Sequence, residues 1–189
     1  MNLYIKNMVC DRCIMVVQRE LELLDLHPIS VELGVIELSE SSLTEAQATA
    51  ATSRLQSLGF ELLEDRKSQT IEAIKTAVIE LIHQQNDDTR IKHSEYLALT
   101  LGLDYPYLSR IFSEEQDTTI EQYIILQKIE KVKELLSYGE LTLSEIAWQM
   151  GYSSVAALST QFKKMVGVTP SGYKDGAQDR TTLDKVGKN

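Results

Sequence analysis

LSEIAWQMGYSSVAALSTQFKKMVGVTPSGYK, residues 143–174, decides the fold of the second half of this 189-residue chain. Apolar residues return every three or four positions on both sides of Gly151, which is typical of two amphipathic helices joined by a tight turn. An earlier stretch, SEYLALTLGLDYPYLSRIFSEE at 94–115, repeats this pattern around Gly102. Between the two stretches, residues 120–137 carry the apolar stripe of one long helix. The sequence therefore predicts two helix–turn–helix units separated by a long helix.

The same stretch resembles the DNA-binding domain of the AraC/XylS family of bacterial regulators, and the resemblance extends over residues 70–174. The elements that stand where this family has them are Ile146-Ala147, Gly151-Tyr152, Phe162-Lys163-Lys164, Gly167 and Thr169-Pro170-Ser171. The resemblance implies that the second helix of each unit reads the major groove of double-stranded DNA. It also implies that the Leu, Ile and Phe residues of both units form the core.

The resemblance implies a set of DNA contacts on these two helices. Arg110 stands where the family often has a base-contacting arginine, which bonds N7 and O6 of guanine. Ser153 and Ser154 open the later helix, where hydroxyls and free N–H groups suit a phosphate, and Lys163 is expected to reach the DNA backbone. The expected DNA-binding residues are Tyr107, Ser109, Arg110, Ser153, Ser154, Val155, Ala156, Ser159, Thr160 and Lys163.

The sequence departs from the family pattern at several of these positions. An arginine frequent near Thr160 is missing, and Ser113, Glu114 and Glu115 replace residues that are often lysine. Like charge beside phosphates costs affinity, and few basic contacts predict a weak dependence of binding on salt. A helical protein–protein module that does not bind DNA stays an alternative for this half of the chain.

The first half predicts a small α+β domain. Alternating apolar residues around Ile5 predict a strand, a helical stripe follows from Ile14 to Leu24, and two further strands meet at a tight turn around Gly34. An alanine-rich helix comes next, with Ser42 and Glu45 as its expected capping box and Gly59 as its stop, before a last strand at 60–63. Strand, helix, strand, strand, helix, strand is the ferredoxin-like order.

This half resembles the heavy-metal-associated domains, which carry Met-x-Cys-x-x-Cys between the first strand and the first helix. Residues 8–13, Met-Val-Cys-Asp-Arg-Cys, stand at that place, and SLGFELLED at 57–65 resembles the ending of those domains. Asn7 replaces the glycine that commonly precedes the Met. The resemblance implies a metal site at Cys10 and Cys13, and we expect Met8 to be a core residue instead of a ligand.

The chemistry of the two thiols supports a soft metal ion. A helix N-terminus and Arg12 favour thiolate over thiol, and two thiolates at this spacing hold one soft ion, for which Cu(I) is the best candidate. A closed zinc site needs four protein ligands, so zinc would require a second chain or outside ligands. The three histidines are far off in sequence and are expected at the surface or at helix caps: His27, His83 and His93. A redox pair or a site that binds no ion are the alternatives.

Composition narrows the class of protein. A net charge of −9 argues against diffuse nucleic-acid binding by the whole surface, although residues 140–189 carry 6 basic and 5 acidic side chains. No apolar run reaches the ~20 residues of a membrane helix, and the start lacks a signal-peptide pattern, so we expect a cytoplasmic protein with reduced thiols. No set of acid, base and nucleophile suggests an enzyme.

These observations predict an α+β chain with a heavy-metal-associated-like domain at 1–66, a double helix–turn–helix domain at 67–175 and a disordered tail at 176–189. The function that explains both halves is a DNA-binding transcription regulator that responds to a soft metal ion. One alternative is a regulator whose first domain only dimerises or docks a partner. Another is a metal carrier whose helical half is an adaptor. Bridging of two thiol pairs by one ion would give a homodimer.

Overall fold

The computed structural model describes residues 1–84 and 92–176, together with Leu183 and Val186. The chain divides into two compact units, Met1–Ala77 with Thr100–Leu103, and Val78–Leu99 with Asp104–Asn189. The domain boundaries at residues 66 and 175 stay predictions. Most of the predicted tail, at 177–182, 184, 185 and 187–189, lies outside the described residues.

The first unit is a small antiparallel sheet with two helices between its strands. Its elements are β1 Asn2–Lys6, α1 Asp11–Glu22, β2 Pro28–Glu32, β3 Val35–Leu38, α2 Glu45–Ser57 and β4 Glu61–Leu62, and α3, Arg66–Ile79, begins in this unit. The strand order is β2-β3-β1-β4, and each neighbouring pair is antiparallel. The buried core residues come from the strands, from the inner faces of α1 and α2 and from the loops between these elements. They include Leu3, Ile5, Met8, Val17, Leu21, Ile36 and Leu55.

The turn between β2 and β3 lies at Gly34, as predicted. Gly34 has φ +81°, and a Cβ atom there would lie 3.3 Å from Oγ1 of Thr76, so a larger residue is unfavourable for both conformation and space. The turn aligns Val31 with Ile36 across the two strands. Because side chains alternate along a strand, this register places Ile36 in the core.

The predicted capping box of α2 is wrong by two residues. Thr44, and not Ser42, is the N-cap: its side chain accepts from the Gln47 N–H at 3.3 Å, and Gln47 Oε1 accepts from the Thr44 N–H at 3.0 Å. The helix begins at Glu45, so Ser42 lies too early to reach a free N–H group. The predicted stop is confirmed, since the helix ends just before Gly59, which has φ +89°.

The second unit is helical in its described part. After α3, residues Glu80–Gln84 form a short π-helical segment, and the following helices are α4 His93–Leu101, α5 Tyr105–Gln116, α6 Ile120–Tyr138, α7 Leu143–Gln149, α8 Val155–Val166 and α9 Pro170–Asp175. Gly102, with φ +63°, joins α4 to α5, and Gly151, with φ +71°, joins α7 to α8. The predicted repeat of two helix pairs around a long helix is confirmed. Within the described ranges, no helix is long and apolar enough to cross a membrane.

The buried side chains of α6 pack against both helix pairs and form the core of this unit. Its Tyr123 ring lies 5.6 Å from the ring centre of Phe112 on α5. Further along, Ile129, Val132 and Leu136 pack with residues of α7 and α8, including Ile146, Leu158 and Phe162. The two pairs therefore pack on successive parts of one helix.

α6 also buries polar groups that the apolar pattern does not indicate. Lys133 donates to Glu130 at 2.6 Å, and both side chains are buried. His83 has a side chain only 6% exposed, and its Nε2 lies 2.9 Å from Oε1 of the buried Gln127. The expectation that His83 lies at the surface or in a helix cap is therefore wrong. Its position just after α3 turns the ring towards α6 instead of towards solvent.

Candidate nucleic-acid interface and cysteine pair

The helix α8 is held by a buried apolar face and presents the opposite face to solvent. Leu158 and Phe162 are fully buried against α6 and α7. The predicted residues Ser153, Ser154, Ala156, Thr160 and Lys163 are exposed, while Val155 and Ser159 are half-buried. The structure thus brings the predicted residues of this unit together on α8 and at its N-terminus.

Ser154 begins α8 as its N-cap. Its Oγ accepts a hydrogen bond from the Ala157 N–H at 3.1 Å, which occupies that hydroxyl oxygen and that N–H group. Ser153 precedes it and is exposed. Because the first N–H groups of a helix point outwards and carry a partial positive charge, this end suits an anionic group beside the exposed serine.

The charge of α8 is the opposite of that of the whole chain. Its sequence VAALSTQFKKMV holds Lys163 and Lys164 and no Asp or Glu, whereas the net charge of the protein is −9. Both lysines are exposed in the last turn, where they also interact favourably with the negative end of the helix dipole. This face can therefore approach a polyanion without repulsion from a carboxylate on the same helix.

The helix α5 presents Tyr107 and Arg110 to solvent, with Ser109 half-buried. Arg110 is already engaged: its Nη1 lies 3.3 Å from Oε1 of Glu114, and its guanidinium lies 5.6 Å from the centre of the Tyr107 ring. Glu114 and Glu115 are both exposed. A guanine that binds Arg110 must therefore compete with a carboxylate on the next turn of the same helix.

The two cysteines lie at the beginning of α1, as predicted. Cys10 is the N-cap residue, and its carbonyl oxygen accepts from the Cys13 N–H at 2.8 Å. The two Sγ atoms are 3.7 Å apart, and both residues are free thiols and half-buried. Met8 is 1% exposed, which confirms the prediction that it is a core residue of this unit.

Asn7 shapes the loop that carries these thiols. It has φ +74°, a left-handed conformation that glycine adopts most readily and asparagine tolerates. Its N–H donates to Glu72 at 2.8 Å, and its Nδ2 donates to the Gly59 carbonyl at 2.8 Å. These bonds fix the strained residue, which explains how an asparagine replaces glycine here.

The sulfur–sulfur distance fits two ligands of one metal ion. Two sulfurs, each ~2.3 Å from a tetrahedral ion, lie about 3.8 Å apart, and the observed distance is 3.7 Å. In the described part of the chain, no group of three or more His, Cys, Asp or Glu residues is placed to hold a metal. The pair therefore suits an ion that accepts few sulfur ligands, or one whose coordination is completed by another molecule.

The two thiols have different acidity. Burial raises the pKa of Cys10, but hydrogen bonds from the N–H and thiol of Cys13 and from the N–H of Arg12, with the charge of Arg12, bring this pKa below its ordinary value. Burial raises the pKa of Cys13, and the adjacent Cys10 sulfur raises it further. Cys10 is thus the thiolate-forming member of the pair.

Sequence reasoning also missed Lys128, a further charged residue inside the helical unit. Lys128 is half-buried, and its Nζ donates to the Met150 carbonyl at 2.9 Å. The spacing of residues indicated this burial, because Lys128 lies four residues after Ile124 and four before Val132, in the middle of the buried stripe of α6.

The chain is similar to several known proteins. Residues 97–176 match the family model described as "Helix-turn-helix domain". The chain is 25% identical to the Msm operon regulatory protein of Streptococcus mutans over 155 residues. This alignment covers 78% of this chain and 55% of that protein. Over 115 residues the chain is 29% identical to the xylose operon regulatory protein of Escherichia coli. This alignment covers 60% of this chain and 29% of that protein. The C-terminal domain of AraT, a response regulator from Geobacillus stearothermophilus, aligns with 27% identity over 62% of this chain and 97% of that chain, at a TM-score of 0.48.

The match of residues 97–176 therefore agrees with the two helix pairs that the structure shows in the second half of this chain. The similarity to two operon regulators agrees with the AraC-type resemblance of residues 70–174. The chain spans about half, or less, of the length of these curated relatives. The matched range begins at residue 97, beyond the sheet and the cysteine pair.

Proposed function

We propose that this protein is a sequence-specific transcription regulator that binds double-stranded DNA through α5 and α8. The observation that carries the proposal is the exposed face of α8, which combines Lys163 and Lys164 with small residues and no carboxylate, directly after a glycine turn. Ala156 and Thr160 are small enough to let the helix approach base edges, and both residue types contact the methyl group of thymine. The names of the matched relatives support a role in operon regulation.

The two helices have different tasks in this proposal. Arg110 on α5 reads a guanine, because its guanidinium matches N7 and O6. Lys163 and the exposed Ser153 hold phosphates and so set the position of α8. Tyr107 packs beside the guanidinium of Arg110 and limits its freedom. Since basic contacts are few, we expect moderate affinity and a shallow dependence on salt.

Selection of duplexes from a random pool tests this function. We expect enrichment of one sequence motif by the purified full chain. Replacement of Lys163 and Lys164 by glutamine should weaken binding to all sequences and reduce the salt slope by roughly 1 for each lost phosphate contact. Lys174→Gln on α9, which removes one exposed charge elsewhere, is the control. A pool without any enriched motif would refute the proposal.

We also propose that the first unit is a ferredoxin-like, heavy-metal-associated domain. The strand order β2-β3-β1-β4, with one helix after β1 and one after β3, supports this assignment. The cysteine pair at the N-terminus of α1, directly after the Asn7 turn, supports the assignment to the heavy-metal-associated domains. A cytoplasmic location, where thiols stay reduced, belongs to the same proposal.

The cysteine pair supports a response to a soft metal ion, with Cu(I) as the first candidate. Cys10 and Cys13 would hold the ion through their sulfurs, which already lie within 3.7 Å of each other. Competition with a chromophoric Cu(I) chelator measures the affinity. We expect Cys10→Ser with Cys13→Ser to abolish binding without unfolding the protein, and Met15→Leu, which removes an exposed sulfur on α1, to leave it unchanged. Full Cu(I) binding by the double variant would exclude this site.

The effect of the bound ion on DNA binding requires a separate measurement. If the ion regulates DNA binding, the affinity for the selected duplex must differ between the loaded and the metal-free protein, because an effector acts only through unequal binding to two states. Equal affinity would favour a metal carrier or a docking unit. Sedimentation with and without Cu(I) tests whether the ion bridges two chains into a homodimer.

A further inference from the structure

A cavity of about 450 Å³ lies within the helical unit, between the beginnings of α4 and α5, one face of α6 and the turn from α7 to α8. Its walls include His93, Tyr105, Ile124, Lys128 and Tyr152. This volume is within the range of small-molecule sites, roughly 300–1,000 Å³. The cavity touches both helix–turn–helix pairs, and it contains none of the predicted DNA-binding residues.

The hydroxyl of Tyr152 is the first sign of a missing partner. Its oxygen is buried and has no hydrogen-bond partner among the described residues. Burial raises the pKa of Tyr152, so the group stays a neutral hydroxyl that can both donate and accept. An unsatisfied buried hydroxyl destabilises a fold, and each such group in a native protein requires an explanation.

The ammonium of Lys128 is the second sign. It uses one N–H to bind the Met150 carbonyl at 2.9 Å, and an ammonium has three donors, so two stay available. Burial lowers its pKa, which means that the charge is poorly solvated. No carboxylate forms an ion pair with Lys128 in the part of the chain that the structure describes. The Nζ atom lies 5.9 Å from the centre of the Tyr152 ring, and both residues line the cavity.

The other titratable groups of the wall do not replace a counter-ion. Glu121 precedes Lys128 by seven residues on α6, which is about 10 Å along the helix axis, and its carboxylate accepts a hydrogen bond from the Tyr105 hydroxyl. Burial, and then the charge of Lys128, lower the pKa of His93. This imidazole therefore resists protonation beside the ammonium. The positive charge at this end of the cavity stays uncompensated.

We propose that this cavity binds a small organic carboxylate. Its carboxylate oxygens accept hydrogen bonds from Lys128 and Tyr152, and its apolar body lies against Ile124, Ile125 and the ring of Tyr105. The apolar wall excludes a bare inorganic anion as the fitting occupant, because such an ion would lose its hydration without gaining apolar contact. The site is independent of the proposed metal site and can be occupied without DNA.

Binding to the metal-free full chain without DNA tests the proposal by calorimetry and ligand-observed NMR. The probes are hexanoate and phenylacetate, their neutral amides and inorganic phosphate. We expect saturable binding of at least one carboxylate, with its amide about tenfold weaker or more, since a charge-assisted hydrogen bond is lost. Absence of saturable binding by both carboxylates, equal binding of acid and amide, or equal binding of phosphate would overturn the assignment.

Two variants locate the binding. Tyr152→Phe removes only the unpartnered hydroxyl, so we expect it to fold with a higher Tm and to bind the carboxylate about tenfold more weakly. Lys128→Gln should abolish binding, and Lys174→Gln, which removes an exposed lysine on α9, should leave it unchanged. If Lys128→Gln does not fold because the Met150 carbonyl loses its donor, Tyr152→Phe still decides. Unchanged affinity in Tyr152→Phe would refute the site.

Discussion

Substitutions of Arg110 and Glu114 can separate a specific contact with a base from non-specific electrostatic attraction to DNA. Arg110 pairs with Glu114 at 3.3 Å, and the side chains are 61% and 47% exposed. An exposed pair of this kind contributes about 0.2–1 kcal/mol, and the contact of Arg110 with the Tyr107 ring adds about 0.5–1 kcal/mol. A two-pronged contact with guanine discriminates by about 1–3 kcal/mol. Arg110 can therefore exchange its contact with Glu114 for a contact with a base. Removal of Glu114 lowers the free energy that this exchange costs.

The two substitutions should have opposite and distinguishable effects. Arg110→Ala should weaken binding to the selected duplex, with the loss of about 1–3 kcal/mol confined to one base pair. Glu114→Gln should tighten binding by up to about 1 kcal/mol, roughly fivefold, with the largest gain on duplexes that carry that guanine. Fluorescence anisotropy with duplexes that vary one base pair at a time measures both, at two salt concentrations.

Glu115→Gln is the matched control, because it removes an exposed carboxylate one residue away from Glu114, the residue of the observed ion pair with Arg110. We expect it to tighten binding to all duplexes equally. Equal losses on every sequence in Arg110→Ala would show that Arg110 contacts only phosphate. A Glu114→Gln protein that behaves like Glu115→Gln would show that the intrahelical pair does not restrain the arginine.

Three further predictions concern stability. Thr142→Ala should lower the free energy of unfolding by about 1 kcal/mol in urea denaturation, because Thr142 and Glu145 form the capping box of α7; an unchanged midpoint would contradict the cap. Tyr152→Phe should raise the free energy of unfolding by about 1 kcal/mol or more, since its hydroxyl has no partner among the described residues, and a loss of stability would show an unseen partner. The hydrogen bond to Glu40 raises the pKa of His27, so its stabilisation is complete below about pH 6.5 and is lost as the pH rises through the folded-state pKa. His27→Gln should remove this part of the pH dependence of the urea midpoint, and an unchanged profile would refute it.

The elements of this fold were predictable because their signals are local. Gly102 and Gly151 adopt positive φ between helices, and the apolar stripes on either side give the helix faces directly. Cys10 and Cys13 fall at the beginning of α1 because the change from a strand pattern to a helix pattern lies between them. The cap of α2 was missed by two residues, since Ser42 and Thr44 both offer a hydroxyl and both are followed three residues later by a suitable partner.

The missed features depend on contacts between residues that are distant in sequence. His83 is buried because Gln127, 44 residues later, lies opposite its ring. Lys128 sits in an apolar stripe, and its ammonium donates to the carbonyl of Met150, 22 residues later. The engagement of Arg110 by Glu114 is a different case. Their spacing of four residues was visible, but a pair that competes with DNA has no distinct sequence pattern.

The shared helix α6 restricts how this domain can change length during evolution. Both helix pairs pack on successive parts of its 19 residues. One inserted residue would turn the second pair by about 100° and advance it by about 1.5 Å relative to the first. Insertions and deletions among relatives should therefore be absent from residues 120–138 and confined to the segments that join the helices.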